Sequence, residues 1–261
     1  MRSNVLLFLG VAVIAMFAGC KSCHDCFTTE TPSSDKKTCA VVIGMEKSRF
    51  AGDCPGAQID SSRMCSLMTQ YADNVVLLQN EKATKSTVVE AMTKAVTNSS
   101  LCIIYYSGHG GSEPFADTGI EEKDGKDEFL CLYDTWLKDN DIWKIISKSK
   151  GRVFLISDSC HSETQFRNPV FRLKPPLSYD HVLNQPNTFS LLCWSGCPDS
   201  DYSYGSSSGG QFTNALLRHF KKGITYEQLW GKVKADKTLR EYENPQSTAI
   251  GNGFENQEFL K

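Results

Sequence analysis

The stretches LCIIYYSGHGG (residues 101–111) and RVFLISDSCHS (residues 152–162) decide the fold class of this 261-residue chain. Each is a nearly continuous apolar run that ends in small polar residues around a histidine or a cysteine. Such continuous runs are typical of parallel strands that helices cover on both faces, whereas half-exposed strands alternate between apolar and polar residues. The two stretches therefore predict two buried strands, each followed by a chemically active side chain.

The rest of the chain repeats this pattern of short apolar runs and helical stretches. Strands are predicted at Thr38–Gly44, Asn74–Leu78, Leu101–Ser107, Arg152–Ser157 and Phe189–Trp194. Helical spacing of apolar residues predicts helices over residues 60–72, 84–97, 137–148, 211–221 and 226–242. This order predicts an α/β fold in three layers, with a mainly parallel central sheet flanked by helices. Functional sites of such sheets lie beyond the carboxyl ends of the strands.

Composition excludes several broad classes of protein. With 40% apolar and 22% charged residues, the chain can bury an ordinary core and does not resemble a disordered chain. The 28 basic residues against 30 acidic residues give a net charge of −2. Nucleic-acid binders usually carry a basic excess, so no nucleic-acid partner is predicted.

The first 19 residues have the pattern of an export signal. Arg2 precedes an apolar run from Val5 to Ala18, which is shorter than the roughly 20 residues that span a bilayer. The small residues before Cys20 resemble the lipobox of bacterial lipoproteins, in which this cysteine is lipidated. We therefore expect an exported protein, anchored to a membrane through Cys20. Plain secretion, including release into a periplasm, and a retained membrane anchor are the alternatives.

Residues 20–37 are predicted to be a cysteine-rich tether. The chain has 11 cysteines, and export would permit disulfides among four early ones, in a pairing that the sequence leaves open: Cys23, Cys26, Cys39 and Cys54. The C-x-x-C-H spacing from Cys20 to His24 also fits haem attachment, but a single copy at the export junction favours the tether. Three other cysteines lie inside apolar runs and are expected to be buried: Cys102, Cys131 and Cys193.

The histidine and the cysteine at the two strand ends suggest nucleophilic catalysis. A thiol needs a nearby base to become a thiolate, and the pKa of imidazole suits this task near neutrality. Cys160 is therefore the candidate nucleophile and His109 the candidate base. The glycines around His109 would let backbone amides approach a substrate carbonyl, and the amides of Gly110 and Cys160 are the expected oxyanion donors.

A serine hydrolase is the nearest chemical alternative. Residues 205–209 match the G-x-S-x-G pattern around Ser207. The α/β-hydrolase fold, in which this pattern occurs, places an acid between the serine and the histidine along the chain. No Asp or Glu lies between Ser207 and His219, so this alternative is rejected.

The two motifs resemble those of the caspase-like cysteine peptidases, most closely the metacaspases. The motifs are YYSGHG at residues 105–110 and DSCHS at residues 158–162. Weaker similarities extend over roughly residues 38–250: GAQID at 56–60, SGCPD at 195–199, GGQFTNALL at 209–217 and ENPQS at 243–247. The resemblance implies a caspase-like three-layer sandwich over residues 38–261, with a large-subunit-like part at 38–165 and a small-subunit-like part at 188–261.

The resemblance also implies a substrate class. Metacaspases cleave peptide bonds after Arg or Lys, and the matching pocket residues here are Asp60, Ser107 and Asp158. Carboxylates bind a guanidinium through charge-assisted hydrogen bonds. The partners would be proteins or peptides with a basic residue before the cleaved bond. A monomer is expected, as in most metacaspases.

Many metacaspases are activated by calcium, although their chemistry itself requires no cofactor. Asp124 and Asp139 are the matching candidate ligands, and Ca²⁺ prefers such oxygen ligands. Asn140 and Arg167 stand where further aspartates are expected, which weakens this prediction.

A second class of function is a non-catalytic caspase-like domain that acts as a tethered binding or scaffold module. Loss of His109 or Cys160 would be its signature, and both residues are present.

Overall fold

A computed structural model describes residues 37–114, 126–160, 189–197, 205–251, 254 and 256–260. Its centre is a sheet of six strands in the order β11-β8-β7-β3-β1-β2. These strands are β1 (Thr38–Met45), β2 (Asn74–Gln79), β3 (Leu101–Gly108), β7 (Arg152–Asp158), β8 (Ser190–Ser195) and β11 (Gln246–Ile250). The strands pair in parallel, except that β11 runs antiparallel to β8.

Helices cover both faces of the sheet. They are α1 (Ala57–Met68), α2 (Lys85–Thr97), α3 (Asp139–Ile146), α4 (Gln211–His219), α5 (Tyr226–Lys234) and α6 (Lys237–Arg240), with a short 3₁₀ turn at Asn80–Lys82. Side chains of α2 and α3 join one apolar cluster against the sheet, and side chains of α1, α4 and α5 join the other. The predicted fold class, a mainly parallel sheet between helical layers, is confirmed.

The buried strands supply both apolar clusters at once. In β3, Cys102, Ile104 and Tyr106 belong to the cluster on one face. Leu101, Ile103 and Tyr105 belong to the cluster on the other face. Successive side chains of a strand point to opposite faces, so a strand that is covered twice needs apolar residues at every position. This requirement explains the continuous apolar run in the sequence.

Two smaller sheets were not predicted. One contains β4 (Gly110–Pro114), β5 (Lys126–Cys131) and β6 (Trp136–Lys138), all antiparallel, and it begins directly after His109. The other is a hairpin of β9 (Gly205–Ser206) and β10 (Gly209–Gly210). Ser207 is thus part of a tight turn between two short strands, rather than a strand-to-helix turn of the kind that presents a hydrolase serine.

The predicted helix over residues 226–242 is two helices. The first ends at Lys234, and Asp236 caps the second, because its carboxylate accepts the Leu239 N–H at 3.0 Å. The same carboxylate contacts His219 at 2.7 Å and also binds Arg218. A buried acid with three partners therefore overrides the helical periodicity on either side of it.

The structure tests the predictions for the buried cysteines and for two of the four early cysteines. Cys102, Cys131 and Cys193 are buried, as expected. Cys39 lies near the start of β1 and Cys54 lies beyond its end, and no disulfide joins these two thiols. Cys20, Cys23 and Cys26 lie outside the described residues, as does the export signal. Within the described ranges, no helix is both long and apolar enough to cross a membrane.

Candidate active site

The carboxyl ends of β3 and β7 bring His109 and Cys160 to one edge of the sheet. The two strands are neighbours in parallel register, with Ser107 opposite Asp158. His109 and Cys160 follow these paired residues at the same edge. Both line a cavity of about 260 Å³, together with Asp53, Cys54, Pro55, Ala57, Asp60, Ser107, Gly108, Asp158, Ser159 and Gly210. The histidine and the thiol therefore open onto the same space.

The imidazole of His109 is oriented by the backbone. Its Nε2 lies 3.3 Å from the carbonyl oxygen of Asp53. A carbonyl oxygen only accepts hydrogen bonds, so this contact requires the proton on Nε2 and leaves Nδ1 to accept a proton. The carbonyl oxygen of His109 itself accepts the Cys131 N–H at 2.9 Å and lies 2.7 Å from the Tyr106 hydroxyl. These contacts hold the residue at the start of β4.

The loop that carries Asp53 is tied down at several points. The Cys54 N–H donates to the carbonyl oxygen of Glu46 at 2.8 Å, and the Arg49 N–H donates to that of Tyr133 at 3.1 Å. The Arg49 guanidinium also lies over the Tyr133 ring, 4.8 Å from its centroid. The position of the Asp53 carbonyl is thus supported from both sides of the loop.

Gly110 packs directly against the cysteine segment. A Cβ atom at this position would overlap the carbonyl oxygen of Cys160 and would lie 3.1 Å from the hydroxyl of Ser159. Only glycine leaves room for the two strand ends to approach this closely. Gly110 was predicted as an oxyanion donor, and its close contact with Cys160 is a further reason for glycine at this position.

The cavity holds a second thiol, Cys54, to which the sequence analysis assigned no catalytic role. Of the eight cysteines that the structure describes, only Cys54 and Cys160 are not fully buried. Burial, together with the nearby Asp158 carboxylate and Cys160 thiol, raises the pKa of Cys54 to about 12. Cys54 is therefore a neutral thiol at physiological pH, which makes it a poor nucleophile.

Asp60 reaches the cavity from the first turn of α1. Its Oδ2 accepts the Gly210 N–H at 2.8 Å and the Ser107 hydroxyl at 3.1 Å. Its Oδ1 is buried and has no hydrogen-bond partner among the described residues. Burial and the neighbouring Asp158 raise the pKa of Asp60 to about 7, although the hydrogen bonds from Gly210 and Ser107 oppose the rise. The two predicted pocket acids thus lie together, and Ser107 contacts one of them.

Asp158 is held by the first turn of α4. Its Oδ2 accepts the backbone N–H of Thr213 at 2.8 Å and the Thr213 hydroxyl at 2.7 Å. The Thr213 hydroxyl also lies 2.6 Å from that of Tyr105. A carboxylate at a helix amino terminus binds an otherwise unpaired N–H and is favoured by the helix dipole. Thr213 is therefore a site residue that sequence analysis missed.

Glycines let the β9–β10 hairpin approach both acids. A Cβ atom at Gly209 would collide with Asp60 Oδ1, and one at Gly210 would collide with Asp158 Oδ2. Gly209 also has a φ of +106°, a conformation that favours glycine. In the sequence, the GGQFT stretch shows two glycines just before a predicted helix. It does not indicate that these glycines contact Asp60 and Asp158.

Of the two predicted metal ligands, Asp139 lies within the described residues and Asp124 does not. Asp139 is completely buried at the start of α3, and its carboxylate accepts the backbone N–H of Asn140 at 2.7 Å. Asp124 and Arg167 lie outside the described residues. In the part of the chain that is described, no cluster of three or more His, Cys, Asp or Glu residues could hold a metal ion. Calcium binding remains a prediction.

The family model of the caspase domain matches residues 37–249, which is most of the chain. The chain belongs to the caspase domain peptidase family. Metacaspase-1A of Aspergillus niger is 30% identical over 220 residues, which cover 76% of this chain and 52% of that protein. Metacaspase-1A of Aspergillus oryzae is 27% identical over 220 residues, with 76% and 50% covered. This caspase-family chain thus spans about half the length of the curated relatives that it matches.

Solved structures share the fold. Protein GSU0716 from Geobacter sulfurreducens has a TM-score of 0.67 at 25% identity, covering 86% of this chain and 98% of that one. Caspase-1 from Spodoptera frugiperda has a TM-score of 0.55 at 13% identity, covering 82% and 87%. The second likeness concerns the fold alone. The resemblance to caspase-like peptidases that the two sequence motifs predicted is confirmed.

Proposed function

We propose that this protein is a metacaspase-like cysteine endopeptidase that hydrolyses peptide bonds after Arg or Lys. One observation supports the proposal above the others. A cavity beyond the carboxyl ends of β3 and β7 is lined by a histidine, a partly exposed cysteine and two buried carboxylates. The first pair suits acyl transfer, and the second suits a cationic side chain.

The reaction begins at the thiol. Cys160 transfers its proton to His109, and the thiolate attacks the carbonyl carbon of the scissile bond. The oxygen gains negative charge, for which the amides of Gly110 and Cys160 are the proposed donors. The carbon–nitrogen bond then breaks as His109 gives its proton to the leaving amine, and a thioester remains. Water, deprotonated by His109, hydrolyses the thioester and restores the thiol.

The acidic part of the cavity selects the residue before the cleaved bond. The lining residues include three aspartates, Asp53, Asp60 and Asp158, and no Lys or Arg. Asp60 Oδ1 lacks a hydrogen-bond donor among the described residues, so a guanidinium or ammonium group supplies one. A carboxylate with an unpaired buried oxygen gains more from a cationic partner than a solvated carboxylate does. An acidic side chain at the same place would be repelled.

The properties of the whole protein belong to the same proposal. The chain is exported and anchored at Cys20, or else secreted, and it acts as a monomer on protein or peptide substrates. Calcium, if it activates the enzyme, binds through Asp124 and Asp139.

The test is hydrolysis of fluorogenic peptides that end in Arg, Lys or Asp. We expect cleavage after Arg and Lys only, and a loss of roughly 10³-fold or more in Cys160→Ala and His109→Ala. Cys54→Ala is the matched control, because it removes the other thiol of the same cavity and is expected to retain activity. Assays with added Ca²⁺ and with a chelator test the metal.

Two results would contradict the proposal. If Cys54→Ala abolished cleavage and Cys160→Ala did not, the nucleophile would be wrong. If folded, reduced protein cleaved no peptide, the binding or scaffold module would become the better explanation.

A further inference from the structure

The two carboxylates of the pocket are drawn to one residue, Gly210. The Gly210 N–H donates to Asp60 Oδ2 at 2.8 Å, and the Cα of the same residue is so close to Asp158 Oδ2 that no Cβ would fit. Asp60 and Asp158 are almost completely buried, at 0% and 5% exposure. Two carboxyl groups are thus held within the span of one residue and are largely shielded from water.

Among the described residues, few compensating charges face Asp60. The titratable or charged groups around Asp60 come from β7, β3, α1 and the strand-end loops: Asp158, Tyr105, Arg63, Asp53, Cys54, His109 and Cys160. The β10 strand and the first turn of α4 contribute hydrogen-bond donors but no titratable side chain. Arg63 is the only permanent cation of this set, and it does not line the cavity.

Buried carboxylates that lie this close do not both ionise readily near neutral pH, because the second charge meets both desolvation and repulsion. The direction of the Asp60 pKa, which is raised by burial and by Asp158, agrees with this expectation. Asp60 Oδ1, which has no hydrogen-bond donor among the described residues, can hold a proton without breaking the bonds to Oδ2.

We propose that the empty pocket keeps one proton on the Asp60–Asp158 pair and that a cationic substrate side chain expels this proton into the solvent when it binds. The inference rests on the proposed function, since it concerns the pocket for Arg or Lys. No covalent bond changes in this step. The proton passes to water or buffer, and the guanidinium or ammonium charge takes its place between the carboxylates.

The consequence is a substrate affinity that rises with pH. Below the pKa of the pair, binding must displace a proton, whereas above it the pocket is already fully charged. With the pKa of Asp60 at about 7, the dissociation constant of an Arg peptide should fall by about tenfold between pH 6 and pH 8.

Arg63 lowers the pH at which the proton leaves. It lies one turn after Asp60 on α1, and its Nη1 donates to the Asn214 side chain at 2.8 Å. Its Nη1 would lie 3.4 Å from a Cβ atom at Gly209, the position that also adjoins Asp60 Oδ1. Its charge favours the ionised form of Asp60 from outside the cavity. Arg63 is therefore a tuning residue that does not contact the substrate.

The experiment is calorimetric titration of the full chain carrying Cys160→Ala with an Arg-ending peptide that this variant does not cleave. Titrations in buffers of different ionisation enthalpy count the protons released. The Cys160→Ala substitution excludes the thiol as a source of released protons. A citrulline-ending peptide, whose side chain resembles Arg but carries no charge, is the control for the substrate charge. We expect about one proton released at pH 6, about half a proton near pH 7 and almost none at pH 9.

Variants identify the source of the proton. Adding Asp60→Asn should abolish proton release. Arg63→Gln should shift the release to higher pH, whereas Lys94→Gln, which removes the same charge from an exposed ion pair on α2, should leave it unchanged.

Three outcomes are distinguishable. Proton release that follows these pH values and depends on Asp60 supports the inference. Tight binding of the Arg peptide with no proton release between pH 6 and pH 8 overturns the inference and leaves the proposed function intact. Equal or absent binding of the Arg and citrulline peptides overturns the cation pocket, and the proposed specificity with it.

Discussion

Gly110 gives the clearest prediction at the scale of one residue. A methyl group at this position overlaps the carbonyl oxygen of Cys160, so Gly110→Ala must push the two strand ends apart. Displacement of a catalytic group by about 1 Å costs on the order of 10²-fold in rate. We expect kcat/KM for an Arg peptide to fall by about that factor in a protein that still folds, as judged by circular dichroism.

The matched control is Gly52→Ala in the loop next to the site. Nothing lies within 4 Å of a Cβ atom at Gly52, so this change should leave activity and stability almost unaffected. Equal effects of the two substitutions would show that the contact between Gly110 and Cys160 does not limit the reaction.

Asp60 predicts how stability depends on pH. Its pKa is about 7 in the folded protein, against about 4 in an unfolded chain. Because the folded state binds this proton more strongly, the carboxyl group stabilises the fold fully below about pH 4, and this contribution is lost as pH rises to about 7. The Asp60→Asn variant has no carboxyl group at this position, so its stability lacks this decrease with rising pH. The unfolding temperature of the variant minus that of the wild type should therefore increase from pH 4 to pH 8.

Asp236→Asn is the control of opposite sign. Burial raises the pKa of Asp236, but hydrogen bonds from the Leu239 N–H, Arg218 and His219 outweigh this effect and lower it. Stability from this carboxylate is present above its unfolded pKa and is lost as pH falls. The Asp236→Asn difference should thus become more negative with rising pH. Parallel pH trends for the two variants would contradict the assigned directions.

At the scale of secondary-structure elements, the first turn of α4 connects the pocket to the core. Thr213 donates its backbone N–H and its hydroxyl to Asp158, and the same hydroxyl meets that of Tyr105. Thr213→Val would leave the fully buried Tyr105 hydroxyl without this partner. The penalty for a buried polar group that loses its partner is about 1–3 kcal/mol. We expect that loss in urea denaturation, together with a higher KM for Arg peptides.

Thr213→Ser tests whether the hydroxyl is responsible. Serine keeps the hydroxyl and loses only a methyl group, so both stability and KM should stay near the wild-type values. Thr238→Val, at an exposed position on α6, controls for the change of residue type. A Thr213→Val protein as stable as Thr213→Ser would indicate that the hydroxyl contributes little.

At the scale of the whole molecule, the sheet joins parts of the chain on both sides of residues 161–188. Strand β7 pairs with β8 over six positions, from Arg152 opposite Ser190 to Ser157 opposite Ser195. Phe154 of β7 also packs edge-on against Trp194 of β8, with ring centroids 4.9 Å apart. These contacts do not depend on a continuous chain. We therefore expect residues 37–162 and 188–261, co-expressed as two chains, to assemble one to one in size-exclusion chromatography with light scattering.

Trp194→Ala in the second chain supplies the negative control. The side chain is 1% exposed and also contacts Tyr226, Trp230 and Phe259. Truncation of such a residue costs about 3–5 kcal/mol, which should prevent assembly. Two wild-type pieces that stay apart would contradict the expectation that the β7–β8 contacts hold them together.

The local sequence determined five of the six strands of the central sheet and the two strand-end residues, whereas the antiparallel edge strand β11 was not predicted. Each buried strand needs apolar side chains on both faces, so it appears in the sequence as consecutive apolar residues, such as 101–106 and 153–156. Because adjacent parallel strands end at the same edge of a sheet, the sequence alone predicted that His109 and Cys160 lie close together. The boundaries of these strands agree with the structure to within one residue.

Only the tertiary structure decided what surrounds this pair. Gly210 binds Asp60 from 150 positions away, and Thr213 binds Asp158 from 55 positions away. Asp53 contacts His109 through a backbone carbonyl, which any residue type could supply. Such contacts leave no periodic pattern, because they depend on how separate elements pack rather than on the conformation of one segment. The proposed nucleophile and base were thus predicted from short motifs, whereas the burial that raises the pKa of Asp60 arises only when α1, β7 and β10 meet.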